Sequence, residues 1–229
     1  MVQSKNAGFG PYLPPLSGAR ESKLVLKGTP LAFRRRNRAW LPGAGGTMVR
    51  IEFNRLRFLV VDDNAHMRRI LRTLLHGFGA REVYEAEDGA AGLEAFTHYS
   101  PDIIIADWAM PIFDGLELTQ MIRQPGANAN PYVSIIMLTG HSEKRRVIAA
   151  RDAGITEFLA KPISAKALYQ RIVNVVANPR PFIKTATYFG PDRRRLTNPS
   201  YIGPERRKGG IKADVIRQAP LLDKVRTQG

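Results

Sequence analysis

The chain has 229 residues, a formal net charge of +15 and no cysteine, which excludes a disulfide framework, a thiolate metal site and a cysteine nucleophile and suits a reducing cytoplasm. Its longest apolar stretches, such as Val133 to Leu138, fall far short of the ~20 residues a membrane helix needs. Gly10, Pro11, Pro14 and Pro15 interrupt the region where a secretory signal requires a continuous apolar run. The basicity is confined to the ends. Residues 1–47 hold 8 basic and 1 acidic residues, 48–178 hold 15 of each, and 179–229 hold 12 and 4, so net charges of +7, 0 and +8 make up the whole. A neutral domain is expected between two cationic arms.

Residues 1–54 read as a basic, disordered leader. They contain Pro14-Pro15, Arg34-Arg35-Arg36, Arg38 and Gly43-Ala44-Gly45-Gly46 without a sustained period of 2 or 3.6. Met48, where regular patterning begins, is a candidate true start, and a deliberate basic leader is the competing reading. From residue 55 to 178 short apolar runs alternate with amphipathic helices. Phe58 to Val61 is a strand ending on Asp62-Asp63. Asn64 can cap a helix in which Met67, Ile70, Leu71, Leu74, Leu75 and Phe78 share one face. Arg81 to Ala86 is a second strand, and Asp88-Gly89 leads into a helix carrying Leu93 and Phe96. Ile103 to Ala106 is a third strand, reaching Asp107. A helix from Leu116 to Arg123 is expected to bury Leu118, Met121 and Ile122. Tyr132 to Leu138 is the fourth strand, followed by a helix near Glu143 to Asp152. Ile155 to Ala160 is the fifth, reaching Lys161-Pro162, and the last helix buries Leu168, Ile172, Val175 and Val176.

Strands alternating with helices predict an α/β fold with a doubly wound, five-stranded parallel sheet and helices on both faces. The continuous apolar runs suit buried parallel strands. Sites in such sheets form at the carboxyl ends of the strands. That rule selects Asp62 and Asp63, Asp107, Thr139 and Lys161. Three converging carboxylates repel one another, so they either raise a pKa or recruit a divalent cation. Ligation by oxygen alone points to magnesium, and a lysine with a hydroxyl at neighbouring strand ends completes a phosphate clamp.

Four motifs occur in order: Val61-Asp62-Asp63, Asp107-Trp108-Ala109-Met110-Pro111 with Asp114-Gly115, Leu138-Thr139-Gly140, and Phe158-Leu159-Ala160-Lys161-Pro162. In these the sequence resembles the receiver domains of two-component response regulators, particularly the chemotaxis type. The resemblance implies the flavodoxin-like strand order 2-1-3-4-5 and a phosphoacceptor switch, not a turnover enzyme. It implies phosphorylation of Asp107 from a phosphohistidine of a sensor kinase or phosphotransfer protein. Mg2+ would be held by Asp62, Asp63, Asp107 and the carbonyl of Ala109, with Asp63 the direct ligand. Lys161 would pair with Asp107 and its phosphate, Thr139 would bond the phosphate, and Phe158 would turn inward as Thr139 moves. Lys161-Pro162 would be cis. Phosphatases of the aspartyl-phosphate class also use a strand-end Asp, but their acid/base lies two residues on, where this chain has Ala109.

His66, His76, His98 and His141 lack ligand spacing. His141, two residues past Thr139, could lie near the phosphate. The tail, residues 179–229, is too short for a winged-helix output domain. Two functional classes stay open: a receiver that relays phosphate or binds a protein target, and a receiver whose basic arms bind nucleic acid. The arms lack an amphipathic recognition helix, which favours the first. Tyr188-Phe-Gly-Pro-Asp-Arg193-Arg194-Arg recurs as Tyr201-Ile-Gly-Pro-Glu-Arg206-Arg207-Lys. Each copy puts an aromatic anchor before a Gly-Pro turn and a basic run, a combination suited to docking on a protein partner or a dimer mate. A disordered solubilising tail is the alternative.

Overall fold

A computed structural model describes residues 41–42, 48–124, 126, 130–140, 144–193, 214–216, 221 and 225–228. The backbone groups into two units, Met1–Arg35 and Arg36–Gly229, and every described residue lies in the second.

In chain order the elements are β1 (Leu41–Pro42), β2 (Met48–Ile51), a 3-10 turn (Phe53–Arg55), β3 (Arg57–Val61), α1 (Ala65–Phe78), β4 (Glu82–Ala86), α2 (Gly89–Tyr99), β5 (Ile103–Asp107), α3 (Gly115–Arg123), β6 (Ser134–Thr139), α4 (Lys144–Ala153), β7 (Glu157–Ala160), α5 (Ala165–Ala177), β8 (Phe182–Lys184), β9 (Phe189–Pro191), β10 (Asp214–Ile216) and β11 (Val225–Gln228). Strands β3 to β7 form the parallel sheet, ordered β4-β3-β5-β6-β7. That is the expected 2-1-3-4-5 order. The strand order reverses between β3 and β5, so the residues after their carboxyl ends face one crevice.

Side chains of β3, β5 and β6 alternate between two buried clusters. Phe58, Val60, Ile103, Ile105, Ile136 and Leu138 pack with Leu71, Leu75, Leu168 and Ile172 of α1 and α5. Leu59, Val61, Ile104, Ala106, Ile135 and Met137 pack with Phe96, Leu118, Ile122 and Ala150 of α2, α3 and α4. A strand buried on both faces has no polar positions to alternate with, which is why these strands read as continuous apolar runs.

Local chemistry sets the helix ends. The Asn64 side chain accepts from the amides of His66 and Met67, and α1 stops at Gly79 with φ 104°. Asp88 and Ser164 cap α2 and α5, and Asp114 with Glu117 forms a reciprocal capping box on α3. Met121 departs from the helical reading: it is 40 % exposed, on the outer side of α3, while Leu118 and Ile122 are buried.

Both extensions carry structure that the hydrophobic pattern did not reveal. β1, β2 and β11 form an antiparallel sheet in which Ile51 pairs with Val225 and Met48 with Gln228. Ile51, Phe53 and Leu221 are buried in the cluster under α1 and α5. The Phe53 ring stacks on Tyr169 at 5.6 Å and meets Phe78 at 5.7 Å. The packed region therefore begins before residue 55, and the expected boundary falls inside it. Similarly β8, β9 and β10 form a second antiparallel sheet, so the segment from 180 to 193 is a packed arm. Among the described residues no helix is long and apolar enough to cross a membrane.

Candidate functional site

Asp62 follows β3, Asp107 ends β5, Thr139 ends β6 and Lys161 follows β7. The sheet brings all four to one edge. Asp62, Asp63 and Asp107 each offer a carboxylate oxygen, and the three oxygens lie within 4.8 Å of one another. Asp62 and Asp107 are buried, while Asp63 is exposed at the rim. The Lys161 ammonium bridges two of them, 2.9 Å from Asp107 Oδ2 and 3.3 Å from Asp62 Oδ2.

The backbone orients each carboxylate. Asp62 Oδ1 accepts from the Asn64 amide at 2.9 Å, and Asp107 Oδ1 accepts from the Trp108 amide at 2.9 Å. Thr139 is buried, and its carbonyl accepts from the Lys161 amide at 2.8 Å, tying the ends of β6 and β7 together. The Lys161-Pro162 peptide is cis, as expected. Burial raises the Asp107 pKa above the ordinary carboxylate range, and the negative charge of Asp62 adds to this, against the Lys161 ammonium and the Trp108 amide. At Lys161 burial opposes the charged form, but the contacts to Asp107 and Asp62 outweigh it, so its pKa is raised.

Three supporting residues had no role assigned from the sequence. The Arg68 guanidinium donates to the Asp62 carbonyl at 2.7 Å, and its Nε lies 3.6 Å from Glu85, which also pairs with Arg72 at 2.7 Å. Arg68 thus holds the backbone of the acidic pair. Gly115 sits against the Asp107 carbonyl so closely that a Cβ there would overlap it. Gly89 faces the Phe113 carbonyl, and a Cβ there would lie 2.6 Å from that oxygen. The Asp-Gly pairs at 88–89 and 114–115 advertise helix caps, but only the fold shows that these glycines also admit a neighbouring loop. Ile112 is held at φ 68° and is fully exposed, with the Phe113 amide bonded to the Pro111 carbonyl across it.

The other candidates are placed as follows. Ala109 is exposed beside Asp107, and Trp108 is half-buried against the cluster under α2 and α3. Phe158 is half-buried against the same cluster. His66 is exposed, His76 Nδ1 lies 3.0 Å from the Ala80 carbonyl, and His98 packs edge-on to Tyr99. His141 lies outside the described residues. In the tail, Tyr188 and Arg193 pack against the chain's own domain, whereas Arg194, Tyr201, Arg206 and Arg207 lie outside the described residues.

The family model of the response regulator receiver domain matches residues 58–173. The chain belongs to this family. Over 117 residues the receiver is 30 % identical to the chemotaxis protein CheY-3 of Vibrio cholerae, covering 51 % of this chain and 88 % of the relative. Over 120 residues it is 29 % identical to the chemotaxis protein CheY of Pseudomonas aeruginosa, covering 52 % and 95 %. Among solved structures, CheY4 of Vibrio cholerae is 28 % identical with a TM-score of 0.49, covering 52 % of this chain and 98 % of that one. A putative response regulator from Chloroflexus aurantiacus is 32 % identical with a TM-score of 0.48, covering 52 % and 96 %. The family places the protein in two-component signalling, where receiver domains are phosphoacceptor switches.

Receiver domains bind Mg2+ in an acidic pocket, and the pocket of this receiver fits such an ion. Its donors are hard oxygens. One ammonium against three carboxylates leaves two negative charges, which a divalent cation matches.

Proposed function

We propose that this receiver accepts a phosphoryl group on Asp107 from the phosphohistidine of a sensor kinase or phosphotransfer protein in the cytoplasm, and signals through its protein-binding face. The observation that carries this reading is the Lys161 ammonium bonded to Asp107 beside two further carboxylates at the switch point of the sheet. A carboxylate oxygen of Asp107 forms the new P–O bond as the P–N bond of the donor breaks and the imidazole departs. Asp62, Asp63, Asp107 and the Ala109 carbonyl would hold Mg2+, with Asp63 the direct ligand. When bound, the ion neutralises charge between the carboxylates and the phosphoryl oxygens.

Lys161 stands ready to follow the charge from the carboxylate to the phosphoryl oxygens, and the Thr139 hydroxyl to donate to one of them. Phosphorylation adds about 1.5 to 2 negative charges, enough to draw both groups in. Phe158, on the strand next to Thr139, would follow and reshape the face of α4, β7 and α5. Ala109 places a methyl group where aspartyl-phosphate hydrolases have an acid/base, which favours a switch over turnover. The downstream target is a protein bound to that face, and a homodimer contact through the tail belongs to the same reading. Intact-mass measurement with Mg2+ and acetyl phosphate tests it: one phosphoryl group should be gained, and none by Asp107→Asn. Equal gain by that variant contradicts the assignment.

A further inference from the structure

The packed arm is the feature that phosphoacceptor chemistry leaves unexplained. Each element of the first Tyr-x-Gly-Pro-acid-Arg copy has a partner. The Tyr188 hydroxyl donates to the Pro191 carbonyl at 2.7 Å, and the Arg193 guanidinium lies 4.0 Å from the Tyr188 ring. Arg193 reaches Asp152 at 3.3 Å. Phe189 and Phe182 close on Tyr132, each at 5.2 Å. Gly190 is pressed on Gly154: a Cβ on Gly190 would lie 2.9 Å from the Gly154 Cα and 2.7 Å from the Tyr188 hydroxyl. The motif is a clasp, and its seat is the turn between α4 and β7.

The receiver side of this seat is equally specific. Arg123 is buried, and it donates to the carbonyls of Gly154 at 3.0 Å, Pro131 at 2.7 Å and Val133 at 2.7 Å, with its guanidinium 5.1 Å from the Phe182 ring. Burial lowers its pKa to about 9. Arg180 donates to the Thr156 carbonyl at 2.9 Å. The arm therefore grips Asp152, Gly154 and Thr156, three points that lie in the sequence between Thr139 and Lys161. It does so at the end of the sheet opposite the carboxylates, where β6 begins.

We propose that the arm of residues 180–193 is a clasp whose docking is coupled to phosphorylation of Asp107 through α4 and β7. The inference rests on the phosphoacceptor reading above. The clasp as described grips the chain in the arrangement where Lys161 bonds Asp62 as well as Asp107. A phosphoryl group on Asp107 places new oxygens before Lys161 and Thr139 and draws both away from that arrangement. Because α4 and β7 join those residues to the seat, the drawn-in form fits the clasp less well. Phosphorylation then loosens the arm and uncovers Tyr188, Phe189 and the seat itself. Linkage makes the effect reciprocal: whatever undocks the arm must strengthen binding of the phosphoryl group or its mimic by the same factor.

The test uses the full chain with Mg2+ and beryllofluoride, which stands in for the phosphoryl group. Hydrogen exchange is followed at two amides that bond within the arm, Thr185 to the Tyr188 carbonyl at 2.8 Å and Asp192 to the Pro181 carbonyl at 2.7 Å. Beryllofluoride should speed exchange there at least about fivefold, the lower end of usual couplings. Gly190→Ala, which clashes with the seat, should bind beryllofluoride more tightly by a matching factor, read by tryptophan fluorescence against a Trp108→Phe control. Arg193→Ala, a milder lesion, should shift affinity in the same direction by less. Unchanged exchange together with unchanged affinity in both variants, while the parent protein binds beryllofluoride, overturns the coupling and leaves the phosphoacceptor reading standing. Failure of the parent protein to bind beryllofluoride at all overturns both.

Discussion

The ammonium of Lys161 lies 2.9 Å from the carboxylate of Asp107 and 3.3 Å from that of Asp62, so one cation is shared by the ends of two neighbouring strands. Lys161 therefore competes for the same oxygens that would hold a metal ion. Lys161→Ala should tighten Mg2+ binding, because the carboxylates lose their internal counter-charge. It should also slow phosphoryl uptake at least about tenfold, since a charge-assisted contact of roughly 1.5–3 kcal/mol to the phosphoryl group is gone. Titration of Mg2+ beside intact-mass kinetics separates the two effects, and parallel loss of both would show that Lys161 only props up the pocket.

Asp107 gives the pH dependence. Its folded pKa is raised, chiefly by burial, so the protonated form is favoured in the folded protein. The stability this contributes is full below the unfolded value of 3.8 and is lost as pH rises through the folded pKa. Above the folded pKa the ionised, buried Asp107 is thus a cost that Asp107→Asn removes. The variant should melt above the parent protein at pH 7 without Mg2+, with the difference shrinking as pH falls into the carboxylate range. A difference independent of pH would mean that Asp107 ionisation is not its source.

Gly115 has no room for a methyl group beside the Asp107 carbonyl. Gly115→Ala should cost about 1–3 kcal/mol, as overpacking does, and should impair phosphorylation by moving the strand end that carries Asp107. Chemical denaturation and the mass assay check the two halves.

Ile112 offers the opposite case. A β-branched residue at φ 68° is strained, and full exposure gives it no packing in return. Ile112→Asn should stabilise the protein by roughly 1 kcal/mol, because asparagine is found at positive φ far more readily than a β-branched residue. Uptake of phosphate from acetyl phosphate should be unaffected. A denaturation midpoint at or below that of the parent protein would count against the strain.

The core of the receiver was legible in the sequence because its signals are redundant. β3, β5 and β6 are apolar runs ending on a polar residue, the helices carry side-chain caps, and Asp62, Asp107, Thr139 and Lys161 each sit where a strand stops. Strand starts were read early at Tyr132 and Ile155, since apolar residues lead into β6 and β7 before pairing begins. The accessory sheets were not legible. Their strands are two to four residues long, too short to show a period, and β1 and β9 end on proline. Phe53 falls inside the segment read as a leader, and only the three rings around it, Phe58, Phe78 and Tyr169, reveal its role. Phe53→Ala should therefore cost roughly 3–5 kcal/mol, whereas removal of residues 1–47, which leaves β2, Ile51 and Phe53 in place, should cost far less.

Chemical trapping identifies directly which carboxylate receives the phosphoryl group. Borohydride reduces an aspartyl phosphate to homoserine, so protein treated with acetyl phosphate and Mg2+, then reduced and digested, reports the acceptor by peptide mass. Phosphoryl transfer to Asp107 predicts homoserine at position 107, with Asp62 and Asp63 intact. Homoserine at 62 or 63, or phosphate gain without reduction at 107, would contradict it.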